Sequence, residues 1–570
     1  MIEVDVLKYA STFFCADLFM TYGLFFFLIF HYLCRIVEGI MKNLWKYLVV
    51  SAWLVMLPVL FSCSDANDDA REIPVVKPDV PMGDGTDYYT KPECYASFFA
   101  YNVLNDVYLW KKEVATELEG WQIDENPIAK LKEIRYKDEL GREVDKWSMV
   151  TDDYASFIGG VDGVSTTYGY DFQLYWKDDR QEEIVAVVTF TYADGPAREA
   201  GLKRGDAIFT VDGAAITLDN YEALMYSDSV ELGVLNEDND GLFSVSMTAV
   251  NMYEDPVLMD SIYLCGPTKV GYLAYTSFTL ESCGRLIDVC RRFKQRGVTE
   301  LILDLRYNGG GYVVTENLLA SMLAPEKAVQ GKQVFETEIW NDDYMAYYES
   351  EGEDLNTYFQ TVYKFKDHNQ QNHSYSTADA NIGLNKIYAL VSGSTASASE
   401  SILVGLMPYL DIEIIGMQTH GKYCTGKILS ATDWFSSVEK QLEKKGQSMA
   451  SEFPEFRKWE SYAHNWGIYV MINRYADRDG NNPCIPDGLT PDVVLEDNPQ
   501  EPYPLGDDRE ALLRKALKEA GKADLTELPD LSRASSPWGK PLMVKSHRPL
   551  DGKRIVMDTI QRDYSLQRVE

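Results

Sequence analysis

A run of small residues around Ser397 holds the side chain best placed to do chemistry. The run follows the apolar segment Ile387–Val391 and leads into a predicted helix that extends to about Leu406. A residue where a buried strand turns into a helix presents its side-chain oxygen beside backbone N–H groups that have no helical partner. Because a serine hydroxyl is a weak nucleophile by itself, it needs a neighbouring base. The pattern therefore makes Ser397 a candidate nucleophile, which would need a base nearby.

Lys422 is the candidate base. It follows a second predicted strand, Ile412–Ile415. The carboxyl ends of neighbouring parallel strands lie at one edge of a sheet, where Lys422 and Ser397 could meet. A lysine that acts as a base must be neutral, which requires an apolar, buried site. From the residues alone, two alternatives stay open: a helix-capping serine with a solvated lysine, or a triad that uses His420 as base and Asp411 to orient it.

Three strings around these residues resemble motifs of the C-terminal processing (tail-specific) peptidases, serine peptidase family 41. They are S-T-A-S-A-S-E at 394–400, T-H-G-K at 419–422 and D-L-R-Y-N-G-G-G at 304–311. The separation between Ser397 and Lys422 is 25 residues, which is the usual separation in that family. The resemblance covers about 160–500.

The resemblance implies a set of roles for these residues. Ser397 would be the nucleophile and Lys422 its general base, and the N–H groups of Gly310 and Ala398 would form the oxyanion hole. Two such donors stabilise a developing oxyanion by several kcal/mol. The reaction needs no metal or cofactor.

The sequence also departs from the family at two positions. Some members carry a Gln four residues after the lysine, where this chain has Gly426, and an acidic residue eleven after the serine, where it has Pro408. The lysine must therefore be held by other groups. The string P-D-G-L-T-P-D at 486–492 resembles a further family motif, which we interpret as structural.

Residues 161–256 have short strand-like runs and a string at 195–208 that resembles a PDZ domain of the bacterial protease type. PDZ domains bind an extended C-terminus by adding it as a strand to a sheet edge. Their carboxylate-binding loop would fall at Tyr168, Gly169 and Tyr170, where backbone N–H groups can face an anion. The alternative is a PDZ fold that packs against the enzyme and binds no peptide.

The elements around these motifs predict an α/β protein. Strand–helix–strand alternation from about 257 indicates a largely parallel sheet, while 326–385 is predicted to be a polar insertion with few strong elements. The resemblance implies a mixed sheet-helix peptidase core of the crotonase/ClpP-like type with an inserted PDZ domain. The predicted divisions are a leader and lipoprotein signal (1–62), a flexible tether (63–90), a small helical N-terminal domain (91–160), the PDZ-like domain (161–256), the catalytic core (257–500), and a C-terminal helix and tail (501–570).

The N-terminal region is predicted to be an export signal. Lys42 and Lys46 precede an apolar run, Leu48–Phe61. The string L-F-S-C at 60–63, which closes this run, resembles a bacterial lipobox. Cys63 would then carry a lipid; the alternative is an uncleaved anchor helix. Either route places the body in the cell envelope, at the outer membrane, a periplasm-facing membrane or the cell surface.

A second apolar stretch, Leu18–Cys34, precedes this signal. Two consecutive export segments make little sense, so we expect translation to begin at Met41. The alternative is a transmembrane helix within 1–40.

Composition excludes some classes of function. The 570-residue chain has a net charge of −34, which would repel phosphate backbones and makes a nucleic-acid partner a poor fit. The nine cysteines include no C-x-x-C pair and the six histidines no H-E-x-x-H, so a metal enzyme is poorly supported, while disulfides stay open.

The expected function is a serine endopeptidase acting on proteins or peptides with free C-termini. Its rivals are a non-catalytic PDZ scaffold and a hydrolase of thioesters or other esters.

Overall fold

The computed structural model describes residues 71–76, 91–123, 126–235, 241–501, 503–525, 542 and 553–556. The chain divides into two units, Met1–Arg71 and Glu72–Glu570, and every element below lies in the second. The predicted leader, Cys63 and most of the predicted tether lie outside the described residues. Within those ranges, no helix is both long enough and apolar enough to cross a bilayer.

Helices of the described ranges lie mainly before residue 162 and after residue 281. They are Pro92–Val107, Ala115–Glu119, Pro127–Ile134, Tyr154–Val161, Pro196–Glu199, Ala223–Tyr226, Ser282–Arg296, Val313–Leu323, Glu326–Gln330, Asp342–Glu351, Ala398–Leu406, Ala431–Lys444, Met449–Glu452, Trp459–Tyr462 and Ala511–Glu519, with a 3₁₀ turn at Pro454–Phe456.

The central sheet carries the predicted catalytic segments. Its strands, in spatial order, are Val257–Cys265, Thr268–Tyr275, Glu300–Asp304, Lys386–Val391, Asp411–Gly416 and Val493–Val494. The first two strands are antiparallel and every later neighbour is parallel. The predicted α/β class with a largely parallel sheet is therefore confirmed. The strand ends that precede Ser397 and Lys422 lie at the same edge of the sheet.

A second sheet contains the strand that follows the candidate lysine. Its strands, in spatial order, are Gly310–Tyr312, Lys553–Val556, Cys424–Ser430, Gly467–Ala476, Val334–Trp340 and Asn356–Tyr358, with Met149–Thr151 paired to Gly467–Ala476. Lys553–Val556 runs parallel to both of its neighbours. The strand after the lysine therefore does not pair directly with the strand of the glycine turn.

The expectation of few elements in 326–385 was wrong. This segment contributes two helices, two strands of the second sheet and a separate hairpin, Val362–Lys366 with Asn372–Ser376. In the hairpin, exposed residues alternate with more buried ones, and tyrosine, lysine and asparagine carry the pattern. Such strands lack the apolar run by which a fully buried strand is recognised.

Residues 164–253 form a module that we call the small-sheet module. Its antiparallel sheet consists of Tyr170–Trp176, Ile184–Thr191, Ala207–Val211, Ser229–Leu235 and Phe243–Thr248, with Ala214–Ala215 beside Ala207–Val211 and a separate pair, Val164–Thr167 with Val250–Tyr253. Its core includes Val188, Ile208 and Leu232, which form a cluster apart from the core of the central sheet. Tyr170–Trp176 is an edge strand of this sheet.

The N-terminal helices share a hydrophobic core with later parts of the chain. The ring of Phe98 stacks on Phe456 with centroids 4.0 Å apart, and the same cluster includes Trp434 and Phe435. The helical segment predicted as a small N-terminal domain is thus packed against the later body of the chain. The described cysteines are buried thiols without disulfides: Cys94, Cys265, Cys283, Cys290, Cys424 and Cys484.

Part of the predicted flexible tether is also held against this body. The N–H of Ile73 donates to Gln441 Oε1 at 2.9 Å, and the N–H of Val76 donates to Asn102 Oδ1 at 2.7 Å. These polar contacts involve side chains far along the chain, which composition does not reveal. Residues 73–76 therefore differ from the tether that their composition predicts.

Candidate active site

Ser397 lies on the predicted turn between a strand and a helix. It follows strand Lys386–Val391 and immediately precedes helix Ala398–Leu406, with φ 65° and ψ −115°. A non-glycine residue in this region costs about 1–3 kcal/mol and is held there by its surroundings. Ser397 is fully buried, and its Oγ has no hydrogen-bond partner among the residues that the structure describes. The turn thus combines a strained backbone at Ser397 with an unpartnered hydroxyl, as in a nucleophile elbow.

Lys422 is fully buried, as a lysine base requires. Its Nζ donates to the hydroxyl of Tyr469 at 2.8 Å and lies 5.3 Å from the ring centroid of Trp147. Burial of an amine disfavours its charged form. Because Ser397 Oγ has no partner within the described ranges, the two predicted catalytic groups are not hydrogen-bonded to each other.

Glu400 links the serine turn to the lysine loop. Its Oε2 accepts the backbone N–H of Ser397 at 2.8 Å and that of Lys422 at 2.9 Å. Its Oε1 accepts the N–H of Gly421 at 2.7 Å and the hydroxyl of Thr419 at 2.5 Å. One buried carboxylate therefore fixes both segments. Sequence reasoning gave Glu400 no role, although an acidic residue inside an otherwise apolar helix was a usable signal.

The glycine turn is joined to the serine turn through Asn308. Its carbonyl oxygen accepts the N–H of Ala396 at 3.1 Å and the hydroxyl of Ser399 at 3.0 Å. Its Oδ1 accepts the N–H of Gly310 at 2.9 Å, so this predicted oxyanion donor is engaged within the turn. Ala398 is the first helical residue, whose N–H has no carbonyl partner in its own helix. The oxyanion roles of Gly310 and Ala398 stay predictions.

The lysine loop is also fixed from its other side. The N–H of His420 donates to the carbonyl oxygen of Thr395 at 2.9 Å, and the N–H of Leu489 donates to Thr419 Oγ1 at 2.7 Å. A Cβ on Gly488 would lie 2.3 Å from the carbonyl oxygen of Thr419, so the close approach requires glycine. These contacts fit a structural role for 486–492.

The alternative triad does not assemble. Asp411 begins the strand Asp411–Gly416, whereas His420 follows the end of that strand. The carboxylate of Asp411 pairs with Lys386 Nζ at 3.2 Å, at the start of the neighbouring strand. Burial lowers the pKa of His420. The strand separates the histidine from the carboxylate that was to orient it.

A buried ionic network lies beside the glycine turn. Arg306 is fully buried and donates to Asp304 at 2.8 Å, to Asp497 at 2.8 Å and to Glu510 at 2.6 Å. Arg204, from the small-sheet module, also donates to Asp497, at 2.7 Å. Burial alone would raise the pKa of Asp497, but the two arginines hold it at about 2. No local pattern in the sequence indicates these pairings.

The predicted carboxylate-binding loop, residues 168–170, leads into the edge strand of the small-sheet module. The side chains of Tyr168 and Tyr170 are buried in the module core, and their hydroxyls donate to the carbonyl oxygens of Ser227 at 2.5 Å and Leu224 at 2.8 Å. The N–H of Gly169 donates to the hydroxyl two positions before it, at 3.0 Å. The two rings are thus structural, and a peptide-binding role of this loop stays a prediction.

The chain is similar in sequence and fold to known serine peptidases. Residues 269–495 match the model of peptidase family S41. A CtpA-like serine protease of Staphylococcus aureus strain MRSA252 is 24% identical over 446 residues, which are 75% of this chain and 77% of that protein. Its counterpart in strain bovine RF122 / ET3-1 is 26% identical over 330 residues, 56% of this chain, which spans about half (55%) of that relative.

Among solved structures, a protein assigned as an S41 protease from Bacteroides fragilis NCTC 9343 superposes with a TM-score of 0.53. The two are 21% identical, and the match covers 74% of this chain and 96% of that one. At this identity the likeness establishes the fold.

Proposed function

The chain carries a serine-type peptidase domain of family S41, and from this premise we propose that it is an endopeptidase with Ser397 as nucleophile and Lys422 as general base. The observation that carries the proposal is the buried, unpartnered Ser397 Oγ on a strained turn. Buried polar groups are rarely left unsatisfied, and the exceptions are often functional. Glu400 supports the assignment because it holds the turn and the lysine loop together.

The reaction then proceeds through an acyl-enzyme. Ser397 Oγ attacks the carbonyl carbon of the scissile peptide bond while its proton passes to Lys422 Nζ. The tetrahedral intermediate collapses as the C–N bond breaks, and Lys422 returns the proton to the leaving amine. Water, deprotonated by the same amine, then attacks the ester; the bond from the acyl carbon to Ser397 Oγ breaks, and Lys422 returns the proton to Ser397 Oγ. The N–H of Ala398 would stabilise the oxyanion; that of Gly310 would join it after exchanging its bond to Asn308.

An extended polypeptide backbone suits the place beside these groups. The chain's own strand Lys553–Val556 pairs in parallel with Gly310–Tyr312 and with residues Gly426 and Lys427. The gap between the glycine turn and the lysine strand is therefore one strand wide. A substrate that displaced Lys553–Val556 would pair as a strand with the same two neighbours, which adjoin the glycine turn and the lysine loop.

The small-sheet module would act as a PDZ-like domain that captures substrate C-termini. Its edge strand Tyr170–Trp176 is the place for an added strand. The N–H of Leu542 donates to the carbonyl oxygen of Leu174 at 2.8 Å, so this edge accepts a backbone donor from elsewhere in the chain. Both features support a peptide-binding edge.

Lipid attachment at Cys63 would hold the enzyme at the cell envelope. Support comes from the basic and apolar residues that precede Cys63 in the sequence. The test is metabolic labelling of the full chain with a fatty acid, with Cys63→Ala as the control. Label that persists in Cys63→Ala would contradict this anchor.

A non-catalytic peptide-binding scaffold is the second candidate. One observation favours it: Ser397 Oγ and Lys422 Nζ are not hydrogen-bonded to each other. In a scaffold, this arrangement would persist when a peptide binds.

The deciding experiment measures degradation of an unfolded protein with an apolar C-terminus by residues 64–570. Ser397→Ala and Lys422→Ala are compared with Ser394→Ala, which removes an exposed hydroxyl from the same turn. We expect cleavage by the wild type and Ser394→Ala only. Peptide binding without cleavage by folded wild type would favour the scaffold.

A further inference from the structure

The amine of Lys422 lies in a pocket made of two aromatic rings and one hydroxyl. Its Nζ is 2.8 Å from the hydroxyl of Tyr469, 5.0 Å from the centroid of the Tyr469 ring and 5.3 Å from that of Trp147. Tyr469 is itself almost fully buried. A lysine side chain has four rotatable bonds, so an amine in one place needs a fixed partner.

Tyr469 reaches the lysine from the neighbouring strand of the second sheet. Strand Gly467–Ala476 pairs antiparallel with Cys424–Ser430, where Ile428 faces Tyr469 and the register shifts between Thr425 and Gly426. The shift lets the ring of Tyr469 lie over Gly426, near the start of the strand that follows Lys422. The hydroxyl thereby points toward Lys422, although Tyr469 follows it by 47 residues.

The place of the tyrosine ring depends on the residue at 426. A Cβ built on Gly426 would lie 2.3 Å from Cε2 and 2.4 Å from Cζ of Tyr469. Contacts that short do not occur between real side chains, so any larger residue at 426 would displace the ring. Cζ is the atom that bears the hydroxyl, and displacement would move the partner of the lysine amine.

We propose that Tyr469 is a positioning residue for the general base, and that Gly426 leaves room for its ring. This inference rests on the proposed function of Lys422. The tyrosine oxygen accepts one N–H of the amine, which leaves the nitrogen lone pair for the proton of Ser397. After proton transfer the same oxygen accepts a stronger, charge-assisted hydrogen bond. The rings of Tyr469 and Trp147 stabilise the ammonium by cation–π attraction.

The test compares Tyr469→Phe with Tyr363→Phe in the full chain. Tyr363→Phe is the matched control: it also removes a buried, hydrogen-bonded hydroxyl, in the hairpin near Asn317 and outside the proposed site. We expect Tyr469→Phe to lower kcat about 10-fold or more, with KM unchanged, since only the chemical step loses an oriented base. Labelling of Ser397 by a serine-directed phosphonylating reagent should slow in parallel. Tyr363→Phe should keep wild-type kcat.

A second variant, Gly426→Ala, separates positioning from folding. Alone, it should lower kcat by a similar factor and also lower Tm, because the methyl group displaces the ring. In the Tyr469→Phe background it should lower Tm again but leave kcat almost unchanged, since the hydroxyl is already gone. Multiplied losses of kcat in the double variant would overturn the link between Gly426 and the hydroxyl.

The outcomes distinguish this inference from the proposed function. Wild-type kcat in folded Tyr469→Phe, with Lys422→Ala inactive, would overturn the positioning role alone. Activity retained in Lys422→Ala would remove the base itself, and the proposed function would fail first. A parallel rise in KM and fall in Tm for Tyr469→Phe, without loss of kcat, would assign the hydroxyl to packing.

Discussion

Ser397 and Arg306 follow neighbouring parallel strands of one sheet, and their environments are opposite. Both side chains are fully buried. Arg306 donates to the carboxylates of Asp304, Asp497 and Glu510. Ser397 Oγ has no acceptor or donor in the part of the chain that the structure describes, and its backbone has a positive φ. The Arg306 guanidinium is paired with carboxylates, while Ser397 retains backbone strain and an unpaired hydroxyl.

This difference separates residues that build the edge of the sheet from the residue that we propose reacts there. A buried charge is tolerated only when it is paired, so the Arg306 network has to be complete before the fold is stable. An unpaired buried hydroxyl is unfavourable by about 1–3 kcal/mol, and it persists when function requires it. Changes at the two places should therefore affect different measurements.

The largest effect is expected for Ser397→Ala. It should lower kcat/KM by at least about 10³-fold, because the proposed nucleophile is lost. The free energy of unfolding should stay unchanged or rise, since no hydrogen bond is removed. Ser397→Gly should stabilise the fold by about 1 kcal/mol because glycine adopts positive φ freely. Turnover and urea unfolding, measured on the same samples, test both expectations.

Ser399→Ala is the matched control two residues away. The Ser399 hydroxyl donates to the carbonyl oxygen of Asn308 at 3.0 Å, so its removal should destabilise the fold by about 1 kcal/mol. Equal destabilisation by Ser397→Ala would mean that Ser397 Oγ is satisfied in solution, and the contrast would be lost.

Arg306→Met should show the opposite pattern. It leaves the carboxylates of Asp304 and Glu510 buried without their cation, which should lower the free energy of unfolding by about 3–5 kcal/mol. The control is Arg291→Met, because Arg291 is partly exposed and pairs with Asp379 on the surface; about 1 kcal/mol or less is expected. Similar losses in both variants would show that the buried network contributes no more than a surface pair.

The central fold and the positions of the serine and lysine segments in it were predictable because their signals are local. An apolar strand, a run of small residues and an apolar helix are contiguous around Ser397, and the structure has that order. The lysine loop likewise follows a recognisable strand. Parallel strands then bring the two segments to one edge, which the pattern of elements implies.

The supporting contacts were not predictable because they join distant residues. Tyr469 follows Lys422 by 47 residues, and the sequence of its strand does not indicate a contact with the lysine. Glu510 follows Arg306 by 204 residues. The polar hairpin within 326–385 was missed because its strands alternate around tyrosine and lysine rather than an apolar run. Pair contacts of this kind depend on register and chain crossing, which local patterns do not encode.

A smaller effect should appear at Glu501, on the rim of the Arg306 network. Burial, with the neighbouring carboxylate of Glu510, raises the pKa of Glu501 from 4.5 to about 7. Between these values the folded state binds a proton that the unfolded state does not, so stability falls as pH rises from 4.5 to 7. Glu501→Gln cannot ionise and should lose this dependence. Its Tm should exceed that of the wild type by about 2 °C at pH 8 and match it near pH 4.5.

Thermal unfolding of both proteins across that range provides the measurement. A variant that is less stable than the wild type at pH 8 would show that ionised Glu501 is needed as acceptor for the N–H of Ala511, 3.0 Å away.

The smallest effect is expected for His420→Gln, two residues before the proposed base. Its backbone N–H, not its ring, donates to Thr395, and the strand that ends at Gly416 separates it from Asp411. Burial lowers the pKa of His420, so the ring is neutral at pH 7 and adds no charge beside Lys422. We expect kcat/KM within about 3-fold of the wild type and the same pH profile between pH 6 and 9. A loss of kcat/KM of about 100-fold, or a shift of the acidic limb of the pH profile, would show that His420 takes part in the mechanism. The contrast with Arg306 would then apply to a group of residues and not to Ser397 alone.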